Sequence, residues 1–253
     1  MRRYYIGSTQ HGGGPGGFST TLLKAPECPS EGYGMGSLAT NPMPQRETMN
    51  ALRVYFRDWV MKDKAPPPSV YPKLADGTLV EPTKQAMGFP TIPGLPATAP
   101  TGFMNPVLDY DYGPDFNYAD GTGVVSKVPP AIKRVIAMRA PKVDADGNEL
   151  GGVPVVLREA PLGTYLGWNV TAEGFHKGQL CNYAGGFIPF AKTKAERMAK
   201  GDPRLSLEER YSDHAGYVAA VKKAVDKVKD AGFLLAADAT RLVAEAEQSN
   251  VLK

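Results

Sequence analysis

A histidine just past a short β-prone run is the residue best placed for chemistry in this sequence. Tyr4-Tyr5-Ile6-Gly7-Ser8-Thr9-Gln10-His11-Gly12 reads as a strand, a small-residue turn and then an imidazole. In open α/β sheets the reacting groups gather outside the carboxyl ends of the strands. A histidine there can take the proton of a serine and later return it to the leaving group. Its unperturbed pKa of ~6.5 suits both steps near neutral pH. By spacing alone, a loop histidine is more often structural.

The other constellations carry less. His11-Gly12-Gly13-Gly14 imitates an oxyanion-hole motif, in which glycines let backbone amides approach a developing charge. That motif needs a serine elbow downstream, and Gly-x-Ser-x-Gly occurs nowhere in these residues. The glycines better suit a tight loop beside the histidine. Gly34-Met35-Gly36-Ser37-Leu38-Ala39 fits a dinucleotide fingerprint, but no strand leads into it and Asn41-Pro42 cuts off the helix that should follow. Asp144-Ala145-Asp146-Gly147-Asn148 hints at a calcium loop, yet its glycine is fourth rather than sixth and Val155 stands where a glutamate belongs; a hairpin turn is the better reading. His176 and Cys181 are close enough for a thiol-histidine pair or a metal site, but further ligands at short spacing are absent. His214 falls in an apolar stripe and reads as a satisfied, half-buried histidine. Trp168-Asn169 could line a pocket, although core packing with a hydrogen-bonded cap is the preferred account. No cofactor and no metal site is expected.

The elements that must position these groups follow from periodicity and punctuation. Residues 2–7 suit a strand. Leu52, Tyr55, Phe56, Trp59 and Val60 recur at helical spacing and make one apolar stripe. Thirteen of the 23 prolines lie between Lys64 and Pro130, so long regular elements are not expected there. Tyr71, Phe89, Ile92, Phe103, Tyr110, Tyr112, Phe116 and Tyr118 argue for an ordered wrap over a core rather than a linker. Ile132–Met138 and Val153–Leu157 are β-prone, with the Asp144–Asn148 turn between them, and Tyr165–Val170 suits a further strand. Ser206 and Glu209 form a capping-box pattern. Tyr211, His214, Val218, Val221, Val225 and Val228 then continue one helix to Gly232, and a shorter helix follows at Ala237–Gln248.

Composition excludes several classes. The 29 basic and 26 acidic residues leave a net charge of +3 with no long basic run, so a nucleic-acid partner is not expected. No apolar run approaches ~18 residues, and no membrane span is expected. Arg2-Arg3 is not followed by the apolar stretch of an export signal. Cys28 and Cys181 could form one disulfide or stay as buried thiols, the second being preferred.

Beyond the individual motifs, their order along the chain is similar to that of the large bacterial alpha/beta hydrolase domain proteins. The matching residues begin with Gly7-Ser8-Thr9-Gln10-His11, Asn41-Pro42, Trp59-Val60 and Pro66-Pro67-Pro68-Ser69. They continue through the Gly88–Gly94 run, Pro141-Lys142-Val143-Asp144, Pro161–Tyr165 and Gly167-Trp168-Asn169. They end with Phe187-Ile188-Pro189-Phe190 and Ser206–Tyr211, so nearly the whole chain is covered. The resemblance implies a carboxylic-ester hydrolase with His11 as the base of a catalytic triad. In this fold the order is serine, acid, histidine, so the serine and the acid are expected upstream of Met1.

The expected fold is therefore α/β: the C-terminal part of an α/β-hydrolase fold. Residues 1–63 supply its last strand, the histidine loop and its last helix. Residues 64–253 add a proline-rich, hairpin-bearing and finally helical extension. The expected partners are a small-molecule ester and an upstream hydrolase segment or partner chain. The rival expectation is a non-catalytic module that packs with a partner chain.

Overall fold

The computed structural model describes residues 1–28, 34–96 and 106–253. Its elements run β1 (Ala39–Thr40), α1 (Arg46–Lys62), β2 (Leu79–Val80), α2 (Lys84–Met87), β3 (Val107–Asp111), β4 (Phe116–Asn117), β5 (Thr122–Gly123), β6 (Ala131–Ile136), β7 (Ala140–Pro141), α3 (Val156–Glu159), β8 (Gly163–Leu166), β9 (Gly186–Pro189), α4 (Lys194–Lys200), α5 (Leu207–Tyr211), α6 (His214–Asp230) and α7 (Ala236–Gln248). The result is a mixture of helices and small antiparallel sheets. The largest sheet among the described residues has the order β1-β9-β8, with Tyr165 opposite Phe187 and Ala39 opposite Phe187 on the other edge.

The main core lies between that sheet and the C-terminal helices. All of β8 is buried, and the Tyr165 and Phe187 rings stack with centroids 5.1 Å apart. Val221, Val225 and Val228 of α6 meet Leu242 and Ala246 of α7 and Val156 and Leu157 of α3. Phe18 and Met43, from the first 63 residues, enter the same core. Local signals held for the C-terminal helices. Ser206 and Glu209 cap α5 reciprocally, α7 begins one residue before the expected position, and Gly232 takes a φ of 83° just past α6.

Several expectations need correction, each because a distant segment decided the outcome. Residues 2–7 are not a strand of a parallel sheet. They run extended between two neighbours, with Tyr5 N donating to the Val70 carbonyl (2.9 Å) and Val153 N donating to the Tyr5 carbonyl (2.7 Å). Only the Tyr4–Val70 bridge is parallel. Pro68, Pro72 and Pro154 flank these contacts, and prolines offer no donor to lengthen a ladder. Ile132–Met138 does not pair across the 144–148 turn; its β6 portion pairs with β3. Asp144–Asn148 is the expected turn, but it closes a Val143–Glu149 bridge. Val153–Leu157 is not a strand, because Val156 starts α3, which packs on α6. Of Tyr165–Val170, only Tyr165 and Leu166 belong to β8. The tail helix is two helices, broken at Ser212 (φ 65°) and restarted by Asp213, whose carboxylate accepts from Gly216 N at 2.8 Å. Phe103 lies outside the described residues.

The apolar stripe of α1 is covered only in part: Leu52 packs against the main core and Tyr55 is half-buried, while Phe56, Trp59 and Val60 face outward. Glu47, Thr48 and Ala51 are the buried residues of this helix, whereas Phe56 is 64%, Val60 65% and Met61 74% exposed. Helical periodicity tells which residues share a face, not which face is covered. Here the first turns are drawn to α7, where Arg241 reaches Glu47 at 2.5 Å and Asn50 reaches Asp238 at 3.2 Å.

Cys28 and Cys181 form a disulfide with their Cα atoms 4.8 Å apart, against the preferred reading of buried thiols. The pairing is set by neighbours no local pattern reveals: the Glu27–Met35 and Gly36–Thr171 bridges, and Cys181 N donating to the Asn169 carbonyl at 2.8 Å. The bond closes a loop of 153 residues, and native disulfides of this kind are worth about 3 kcal/mol. Cys28→Ser combined with Cys181→Ser should lower the unfolding free energy by that amount in urea titrations. A change under 0.5 kcal/mol would mean the bond constrains little.

Candidate functional site

His11 is exposed, at the end of the extended segment that passes between Val70 and Val153. Its ring lies against Tyr183, with centroids 4.7 Å apart and planes at 34°. Neither imidazole nitrogen has a hydrogen-bond partner among the described residues. The ring is therefore positioned on one side and open to accept and donate protons on the other.

The backbone that carries it is held from several directions. Asn41 is fully buried, and its Nδ2 donates to the carbonyls of Ser8 and Leu166, both at 2.9 Å, while its Oδ1 accepts from Met43 N at 2.8 Å. Gln10 ties the loop to the residue before β9 and to the start of α1: its Oε1 accepts from Gly185 N at 2.8 Å and its carbonyl accepts from Gln45 Nε2 at 2.9 Å. Gly14 sits where a Cβ would lie 2.3 Å from the Asn41 carbonyl oxygen, so only glycine fits.

Glu149 closes the network from below. Its Oε2 accepts from Ser8 N at 2.6 Å and from the Tyr5 hydroxyl at 2.7 Å, while Ser8 Oγ accepts from Glu149 N at 2.7 Å. Burial, then the neighbouring Glu149 carboxylate, pushes the Tyr5 phenol well above its ordinary range, so it stays a donor. Ser8 holds a left-handed φ of 57°, a conformation that needs such support. Glu149→Ala removes an ionised acceptor from two donors and should cost about 2 kcal/mol, read as a shifted urea midpoint. Glu149→Gln keeps one acceptor oxygen and should cost about half as much. Equal stability of the alanine variant and the parent would show that this network does not brace the loop.

The remaining sequence candidates resolve as structure. The amides of Gly13 and Gly14 donate to the carbonyls of Gln10 (3.0 Å) and Met43 (2.7 Å), so they are spent on the turn and not offered to an oxyanion. Residues 34–40 form bridges and β1, and the next helix, α1, starts only at Arg46, past Asn41-Pro42. Asp144 Oδ1 accepts from the amides of Asp146 and Asn148, both at 2.9 Å, and Asp146 pairs with Arg210. Among the described residues no group of carboxylates, histidines and cysteines could hold a metal. The Cys181 sulfur is in the disulfide and cannot be a nucleophile, and the His176 ring lies edge-on to Phe175 at 5.0 Å. Both nitrogens of His214 face carbonyls, Val251 at 2.8 Å and Glu247 at 3.1 Å. Trp168 joins the Ile92, Leu166 and Ile188 cluster, and Asn169 spans Leu38, Gly185 and Val170.

Tyr183 and Glu149 were not singled out in the sequence. Nothing local marks them, since each acts on a segment at least 140 residues away. No helix among the described residues is long and apolar enough to cross a membrane. Neither the curated proteins nor the solved structures provide a match to this chain. A family model described as Alpha/beta hydrolase domain matches residues 1–244. The chain belongs to the alpha/beta hydrolase domain family.

Proposed function

We propose that this chain supplies the histidine of a carboxylic-ester hydrolase, with the nucleophilic serine and the triad acid provided by polypeptide outside these 253 residues. Family membership supports a hydrolase-like function in general; ester hydrolysis and the role of His11 are the proposal. The observation that carries it is the state of the imidazole: exposed, braced by Tyr183, and with both nitrogens unengaged among the described residues. In the reaction one ring nitrogen takes the serine proton as the oxygen attacks the ester carbonyl, and the other is held by the acid. The proton then passes to the departing alkoxide, and the same nitrogen activates the water that releases the carboxylic acid.

A second reading, a module that packs with a partner chain without catalysis of its own, is favoured by the exposed Phe56, Val60 and Met61 face of α1. The two readings are compatible if that face meets the serine-bearing polypeptide. The disulfide suits a compartment that does not keep thiols reduced. The test is hydrolysis of small activated esters by this chain alone, by this chain joined to a segment bearing Gly-x-Ser-x-Gly, and by the joined His11→Ala variant. Activity only in the joined parent supports the proposal; activity that survives the alanine removes His11 from the mechanism.

A further inference from the structure

Residues 19–22 form a strap over a cavity of about 230 Å³. Its floor is made by the buried side chains of Leu162, Phe187, Phe190 and Leu207. Its mouth is different in kind, with half-exposed Leu22, exposed Lys192 and exposed Asn250. The strap is clasped rather than loose: Thr20 N donates to Asn250 Oδ1 at 3.1 Å, and Asn250 Nδ2 donates to Thr21 Oγ1 at 3.4 Å. A smaller void of about 50 Å³ shares Leu162 and Phe187 and continues under the same strap. Lys192 Nζ lies 3.3 Å from the main-chain oxygen of Lys253, the last of these residues, and has no ion pair with an acidic side chain among the described residues.

An apolar well with a single cation at its lip matches an apolar chain ending in an anion. We propose that this cavity binds a medium-chain carboxylate, its chain on Phe187 and Phe190 and its carboxylate at Lys192. At about 230 Å³ the cavity is many times what a single water needs and has room for a medium-length alkyl chain. The site does not depend on His11, although such an acid is also what ester hydrolysis releases.

Calorimetric titration of the full chain with octanoate and with 1-octanol tests the assignment. Octanoate should bind saturably, one per chain, with a negative heat-capacity change from apolar burial. Lys192→Ala should weaken octanoate about fivefold, the size of a solvent-facing ion pair, and leave 1-octanol unchanged. Leu22→Trp, at an exposed lip position and with folding checked by urea titration, should weaken both ligands by tenfold or more. His11→Ala should bind octanoate as the parent does, which separates this site from the ester-hydrolysis reading. Absence of saturable octanoate binding, or binding indifferent to both lip variants, overturns the proposal.

Discussion

His11→Ala should lower the ester-hydrolysing rate of the joined protein by about a thousandfold or more. General acid–base transfer alone contributes about 10² to 10⁴, and triad members act as a unit, so loss of one removes most of the chemistry. A thousandfold drop corresponds to about 4 kcal/mol in the barrier. The fall should be in kcat, because the imidazole acts on the serine proton and not on the bound ester. Folding should be unaffected: the ring is exposed, and it makes no hydrogen bond to the described residues. Steady-state kinetics with parallel urea titrations separates the two. A variant that folds normally and keeps kcat within threefold of the parent would assign the base elsewhere.

Asp202→Ala should be the most destabilising single substitution considered, at about 4 kcal/mol. Arg204 is 1% and Asp202 6% exposed. All five guanidinium donors are used. Nε and Nη2 grip the two Asp202 oxygens at 2.9 and 2.6 Å. Nη1 donates to Thr164 Oγ1 at 2.8 Å and to the Ile188 carbonyl at 2.9 Å, and Nη2 also donates to the Pro189 carbonyl at 3.1 Å. The Phe190 ring lies 5.2 Å from the guanidinium carbon. Removing the carboxylate leaves a buried cation without its counter-charge, which costs about 3–5 kcal/mol. Adding Arg204→Met should cost less than the sum of the two single changes, because the partners form one network.

The same pair predicts a pH dependence. Burial works to raise the Asp202 carboxyl, but the hydrogen bonds and charge of Arg204 outweigh it and hold the group below its ordinary value. A depressed carboxyl contributes stability that is present above its unfolded pKa of ~3.9 and is lost as pH falls through the folded value. Urea midpoints should therefore fall below about pH 4 more steeply in the parent than in Asp202→Asn. Identical acid limbs in the two proteins would show that this carboxyl is not linked to folding.

Interactions within a few residues were legible in the order of the amino acids. The Ser206–Glu209 capping box, the Asp144–Asn148 turn and α7 depend on groups that meet whatever the rest of the chain does. The lack of a Gly-x-Ser-x-Gly elbow and the place of His11 past a β-prone run were legible in the same way. What the three-dimensional arrangement decided were meetings across long separations. It joined Cys28 to Cys181, turned the Phe56 face of α1 to solvent, paired β6 with β3, and set Tyr183 and Glu149 around the histidine loop. Spacing determines which side chains share a face, but the free energy of closing a long loop depends on everything packed within it. A short stretch of sequence holds the first kind of information and not the second.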